Sequence, residues 1–406
     1  MQFKRTDMEI RLSKDGLTKT GVILLLLSGL VFHDFFALKF VKLGIITITY
    51  LRVILVVTIP LLLFLYKVGI RKNDLLAYIL LIFMAYGLTR IEGNFKEAFA
   101  LYCPLVAFFI LYFSIDDKKV IEKCIDFLAL FFMFFCLVGI FELISGQHFV
   151  QNRLEVIKEN SQVAFGMYYN ENDFSAFLSV MVIYMLLSRF KVIIKLIFIS
   201  LAVVIITFNS SIICLLGLMT FVLVSFILRR KTNRFLRLIF IALVSVLLIK
   251  PVTDMINSSS LWWRKYMYKF GIKNVMTHMM FGTGIGNFGK EMKALGFDDK
   301  LYAASADPHN LFYELAGVFG IIWAILLIIL LLRLIIYFFK KSDVKENIFI
   351  LGLVYIIVFV GFASSSCMEK NYIYLALLIP ATYFRLGTCN EEAALHLKRY
   401  ITVTKA

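Results

Sequence analysis

Apolar runs of roughly 17 to 25 residues recur along this chain from end to end, and each is long enough as a helix to cross a hydrocarbon core of about 30 Å. This repetition limits the fold severely. A bilayer accepts helices or closed barrels because every backbone polar group must be satisfied inside the structure, and these runs do not alternate as barrel strands do. Composition agrees: 61% of the residues are hydrophobic, 17% are charged, and mean hydropathy is +0.86. The expected fold is all-α, a single integral membrane domain over 1–406. About twelve spans are expected, near 20–38, 43–66, 75–90, 98–115, 120–144, 173–188, 191–208, 209–228, 235–250, 311–339, 347–366 and 371–388. The first run follows a basic segment, lacks a small-residue cleavage site and is succeeded at once by another span, so it reads as a retained helix.

Charge supplies the orientation. Under twelve spans, the side carrying both termini holds 27 of the 43 Lys and Arg residues, whereas the short loops opposite hold five, Lys39, Lys42, Arg90, Lys96 and Lys370. By the positive-inside rule both termini are cytoplasmic. The net charge of +16 is then mostly a topology signal, and no nucleic-acid partner is expected. Six cysteines lie in or beside the spans without a C-x-x-C pair, which suggests neither a disulfide framework nor a zinc site. No internal repeat is apparent.

Two segments exceed the usual connection of about 4–6 residues: 145–172, a first outer loop, and 250–310, a large outer loop. Long loops on a rigid scaffold are where function concentrates. In the second, Trp262, Trp263, Tyr266, Met267 and Phe270 form a stripe at helical spacing, beside a basic row of Lys265, Lys269 and Lys273. This pattern predicts a helix lying in the membrane interface with its aromatic face toward lipid. Across 250–310 eight basic residues face five acidic ones, which suits either lipid headgroups or a phosphate-bearing substrate. The loop ends "SADPHNLFYELAG". Asp307 is expected to cap and Pro308 to open a long helix from about 308, with His309 and Asn310 in its first turn. The positive end of the helix dipole disfavours imidazolium, so His309 is expected to be neutral and able to accept a proton; the alternative is a loop histidine with a satisfied hydrogen bond.

Between these motifs, "FGTGIGNFGKEM" contains Gly284, Gly286 and Gly289 in G-x-G-x-x-G order, with Asp307 further on. A dinucleotide fingerprint needs a strand before the glycines and a βαβ unit around them. The preceding "KNVMTHMM" is a poor strand, so the glycines read as a tight turn whose bare backbone can approach a phosphate.

Taken together, "WWRKYMYKF", "FGTGIGNF" and "HNLFYELAGVFGIIW" resemble the signature of the O-antigen ligase and polysaccharide polymerase superfamily of bacterial membrane glycosyltransferases. "YYNENDFSAFLSVMV" is similar to that family's N-P-N-x-x-A stretch, with Glu171 where proline is usual. The chain departs from the pattern in "TFNSSIICLLG", where Ser211 stands in place of an expected arginine. Arg90, Arg52 and Lys265 are the substitutes the sequence offers.

The resemblance implies transfer of a glycan from an undecaprenyl-diphosphate carrier to an acceptor sugar hydroxyl, on the outer face of the bacterial cytoplasmic membrane. It implies an inverting, metal-independent displacement without a cofactor, and partners in a flippase or chain-length complex. His309 is then the base and Arg264 the diphosphate ligand, since guanidinium binds phosphate oxygens bidentately and keeps its charge. Asn310 and Glu314 are sugar contacts or orienters of His309; Lys265, Arg90, Arg52, Gly284 and Gly286 complete the expected substrate-binding set. Arg52, nine residues into the second expected span, reads as a functional intramembrane charge or a snorkelling one paired with His33 and Asp34. No outer Asp-x-Asp is present to hold a metal. A repeat-unit polymerase is favoured over a ligase because its acceptor is another carrier-linked unit and needs no docking domain. Other classes are a lipid-linked oligosaccharide flippase or secondary transporter, which would show repeats and broken helices at the midplane, and a membrane scaffold.

Overall fold

A computed structural model describes residues 19–32, 42–43, 46–47, 49–65, 74–91, 95–149, 163–168, 170–228, 259–297, 310–362 and 367–403. Helices dominate: α1 (Lys19–Phe32), α2 (Tyr50–Pro60), α3 (Leu75–Leu88), α4 (Phe95–Ser114), α5 (Lys118–Ser145), α6 (Glu171–Leu187), α7 (Val192–Phe208) and α8 (Ile212–Leu228). They continue with α9 (Ser259–Thr277), the short α10 (Phe288–Ala294), α11 (Leu311–Phe319), α12 (Ile321–Lys340), α13 (Lys345–Val360) and α14 (Asn371–Val403). A two-residue ribbon, β1 (Lys42–Leu43) antiparallel to β2 (Ile46–Thr47), precedes α2. Among the described residues, α4, α5 and α12 are long and apolar enough to cross a membrane, and α1, α2, α3, α7 and α8 are shorter apolar helices.

The centre of the bundle is α6. Every residue from Asp173 to Met185 is buried, and a helix buried on all sides has no polar face to segregate. It packs against α5, α7, α8, α13 and α14. One end of the bundle collects basic segments and their acidic partners: Lys19 with Asp116 at 2.7 Å, Lys118 with Glu346 at 3.0 Å, and Arg189 donating to Asp126 at 2.7 Å.

The opposite end is tied by buried polar groups. Glu142, in the last turn of α5, accepts the backbone N–H groups of Phe149, Phe165 and Gly166 at 2.7–3.2 Å. Asn209, after α7, accepts from Ala164 N and donates to Ala164 O, both at 2.8 Å. Asn371 donates to Leu30 O and Val31 O and accepts the Tyr168 hydroxyl. The bonds to Phe165, Gly166, Ala164, Leu30 and Val31 satisfy backbone groups that would otherwise be buried unpaired.

Three expected boundaries need correction. The second span starts at Tyr50, capped by Thr49, while residues 42–43 and 46–47 form the ribbon, so Arg52 lies in the first turn of α2 and not nine residues deep. The long helix expected from Asp307–Pro308 begins at Leu311, with Asn310 as its cap. It also breaks at Gly320, whose φ of 101° suits glycine but not a continuing helix. The last helix extends past 388 to Val403. The expected span at 235–250 lies outside the described residues, as do His33, Asp34 and His309.

Candidate active site at the loop end of the bundle

The site is assembled around the turn that follows α13. Arg264, half-buried on α9, donates from Nη1 to Phe362 O at 2.6 Å. At the adjacent residue, Gly361 O accepts the N–H of Leu311, the first residue of α11, at 2.8 Å. Phe312 packs on Phe362 with ring centroids 6.1 Å apart, and Tyr268 on Tyr313 at 5.3 Å. The Trp-Arg helix and the His-Asn helix therefore converge on one turn, although 98 residues separate Arg264 from Phe362 in sequence. His309 lies outside the described residues.

Asn310 is 2% exposed, and its Oδ1 accepts Phe312 N at 2.9 Å and Tyr313 N at 3.1 Å. These are two of the donors a helix start leaves unpaired, and covering them is worth about 1 kcal/mol. One turn on, Glu314 is buried and accepts Met368 N at 3.3 Å. Asn310 thus caps α11, and Glu314 ties its first turn to the segment before α14.

Asp173 is 2% exposed; its carboxylate pairs with Lys370 Nζ at 2.8 Å and accepts the Tyr372 hydroxyl at 3.1 Å. The sequence reading did not single out this ion pair. Asp173 stood inside the quoted "NEND" motif and Lys370 was one of only five basic residues in the short outer loops. Those were the available signals, but the pairing spans 197 positions and has no local signature.

The glycine turn is built against protein. Thr283 N donates to Gly317 O at 2.7 Å, Gly284 N to Val318 O at 3.0 Å, Ile285 N to Arg90 O at 3.0 Å, and Ile321 N to Met279 O at 2.9 Å. Arg90 closes the arrangement by donating from Nη2 to Gly282 O at 2.9 Å. These bonds dock the turn on the break between α11 and α12. Gly284 and Gly286, with φ of 87° and 82°, supply left-handed backbone, and the Gly284 N–H is taken by Val318. Ile285 forms a single parallel bridge with Ile91, and helix α9 precedes the turn; the βαβ unit of a dinucleotide site is not built here.

At Gly282, φ is 66° and an added Cβ would lie 2.3 Å from Val318 C and O and 2.5 Å from Phe319 N. Gly282→Ala is expected to undock the turn. Left-handed backbone alone costs about 1–2 kcal/mol for a residue with a Cβ, before the backbone collision. Limited proteolysis of detergent-purified protein will show faster cleavage within 278–297 and a lower melting temperature; unchanged cleavage and melting would contradict this docking.

The other expected ligands are placed variously. Lys265, with Lys269 and Lys273, is exposed on α9. The Arg52 guanidinium lies over the Phe99 ring of α4, 5.8 Å from its centroid. The face of α9 expected to lie on lipid is turned partly onto protein. Met267 is buried, and Tyr266 and Phe270 pack on Phe297 with centroids 5.5 and 5.8 Å apart. The side chains of Trp262 and Trp263 lie outside the described part. Among the described residues no group of three His, Cys, Asp or Glu side chains converges to hold a metal ion.

The model of the family described as O-Antigen ligase matches residues 174–328, from the first turn of α6 through α9, the glycine turn and α11 into α12. No curated protein matches the chain significantly. The matched segment contains Arg264, Asn310 and the glycine turn, and it leaves out α1 to α5, the later part of α12, and all of α13 and α14. By this match, residues 174–328 are similar to the O-antigen ligase family.

Proposed function

We propose that the chain is a glycosyltransferase of the bacterial cytoplasmic membrane that joins lipid-linked repeat units of a surface polysaccharide. Twelve spans put both termini in the cytoplasm and the loop end outside. The observation that carries this reading is the convergence of Arg264 and the start of α11 on the Gly361–Phe362 turn. It sets a fixed cation beside the helix whose cap, Asn310, directly follows His309.

Glycosyl transfer from a diphosphate needs a proton acceptor for the incoming hydroxyl and positive charge for the leaving group. In the proposed step the acceptor oxygen attacks the anomeric carbon and its proton passes to His309. The bond from that carbon to the diphosphate breaks with inversion, and Arg264 holds the departing oxygens. A guanidinium carries five N–H donors, so it can keep its anchor on Phe362 O while donating to an anion. The undecaprenyl chain keeps the product diphosphate in the membrane. Lys370, held by Asp173, is a further cation at this end of the bundle and a better candidate than Arg90 or Arg52 for the charge missing at Ser211. Arg90 is committed to Gly282 and Arg52 lies over Phe99. Asn310 and Glu314 act by holding the start of α11 in place.

The test is reconstitution of purified protein in liposomes with a carrier-linked repeat unit. Polymer with new glycosidic bonds supports the proposal; movement of intact lipid-linked sugar across the bilayer without bond formation refutes it. A deletion strain separates polymerase from ligase. Single repeat units left on the carrier are expected, and long unattached chains would instead identify a ligase.

A further inference from the structure

A cavity of about 730 Å³ lies between α3, α4, α11, α12 and α14, within the range of about 300–1,000 Å³ that small-molecule sites occupy. Its walls are apolar for most of their length, from Leu311, Leu315 and Trp323 at the loop end downward. Its charged lining, Asp74, Arg333 and Arg385, is confined to the other end. At about 1.5 Å per helical residue, Arg333 lies about 18 Å and Arg385 about 21 Å below the loop-end starts of α12 and α14. That depth is in the far half of a hydrocarbon core of about 30 Å, at the end of the bundle that collects the basic segments.

The three charges are not equivalent. The Asp74 carboxylate accepts the Tyr112 hydroxyl at 3.0 Å and caps α3 through Ala77 N at 3.1 Å. Arg385, 5% exposed, donates to Ile115 O and lies over the Tyr112 ring, 4.6 Å from its centroid. Arg333 is exposed, lies over the Phe384 ring at 5.8 Å, and makes no ion pair or hydrogen bond among the described residues.

We propose that this cavity is a binding site for an anionic phospholipid of the cytoplasmic leaflet, its acyl chain in the apolar slot and its phosphate on Arg333 and Arg385. Basic pockets between membrane helices on the cytoplasmic side recognise anionic headgroups in this way, and guanidinium suits phosphate geometry. The position of the charges argues against the glycan carrier as occupant. A carrier with its diphosphate at Arg264 would extend its uncharged chain toward two arginines, one of them buried, and would leave both without an anion. The site is separate from glycosyl transfer, so its test stands or falls without the proposed activity.

The full chain is purified in detergent and its retained lipids are compared with those of the source membrane by mass spectrometry. Enrichment of phosphatidylglycerol or cardiolipin over phosphatidylethanolamine is expected. Arg333→Gln is expected to reduce that enrichment about fivefold, and Arg333→Lys to keep most of it. Arg189→Gln, which removes an exposed arginine at the same end but away from the cavity, is expected to change nothing. Retained lipid of source composition, a dominant polyprenyl lipid, equal loss in Arg333→Gln and Arg189→Gln, or displacement of the lipid by inorganic phosphate would each overturn the proposal.

Discussion

Arg264→Ala is expected to reduce polymer formation by about 10²–10³-fold while the protein still inserts and accumulates in the membrane. That magnitude is typical of removing one preorganised donor that stabilises charge developing in a transition state. The geometry makes the loss specific. Arg264 sits on α9 with Nη1 fixed to Phe362 O at 2.6 Å, so its direction is set before substrate arrives and no reorganisation is needed during transfer. Removing the side chain also leaves Phe362 O without that donor, a cost of about 1–3 kcal/mol if the carbonyl stays dry, so each variant needs its melting temperature beside its activity. Arg264→Lys decides between charge and shape. A lysine keeps the charge but cannot hold a backbone carbonyl and a diphosphate in one planar fork, and it is expected to recover only a small part of the rate. Polymer formation near wild-type in Arg264→Ala, with normal protein level, would remove Arg264 from the chemistry.

The helical membrane class was legible because apolar runs long enough to span a bilayer have few other uses. The ends of the helices were less so. At 307–310, Asp307 before Pro308 is a good local cap, and Asn310 before Leu311 is another; local chemistry cannot choose. The structure uses Asn310, since the Leu311 N–H reaches Gly361 O, 50 positions away. The break at Gly320 was hidden for a similar reason. Nothing in "GVFGIIW" opposes a continuous helix, and the interruption comes from docking of the glycine turn, with Ile321 N bonded to Met279 O. Arg52 was misplaced by counting a span from Leu43, when the extended ribbon before Tyr50 uses those apolar residues differently.

The same contrast holds at the site. Arg264 could be named as a candidate because the resemblance implies a Trp-Arg motif at that place and guanidinium suits a diphosphate. Lys370 could not, because its pairing is with Asp173, a buried carboxylate on a distant helix. Gly284 and Gly286 were read as bare backbone for a phosphate, and the spacing was indeed that of a turn. What occupies the Gly284 N–H, however, is the carbonyl of Val318. An identical run of glycines serves either purpose, and only the neighbouring backbone decides which.

His309→Ala is expected to abolish detectable polymer, with a loss of about 10²–10⁴-fold if the residue takes the acceptor proton. The argument joins chain connectivity to the observed cap. Asn310 is held by Phe312 N and Tyr313 N, Leu311 is held by Gly361 O, and Arg264 is held by the next carbonyl; His309 is one peptide bond from the first of these. A base must be neutral to accept a proton. The wild-type rate should therefore fall on acidification, as the imidazole takes up a proton, and the residual rate of the variant should lack that limb. His309→Gln gives the sharper comparison, because it can still donate and accept hydrogen bonds but cannot take up a proton. It is expected to be as inactive as His309→Ala. Substantial activity in His309→Gln, or an acid limb that persists in both variants, would show that the proton goes elsewhere and that His309 only positions the acceptor.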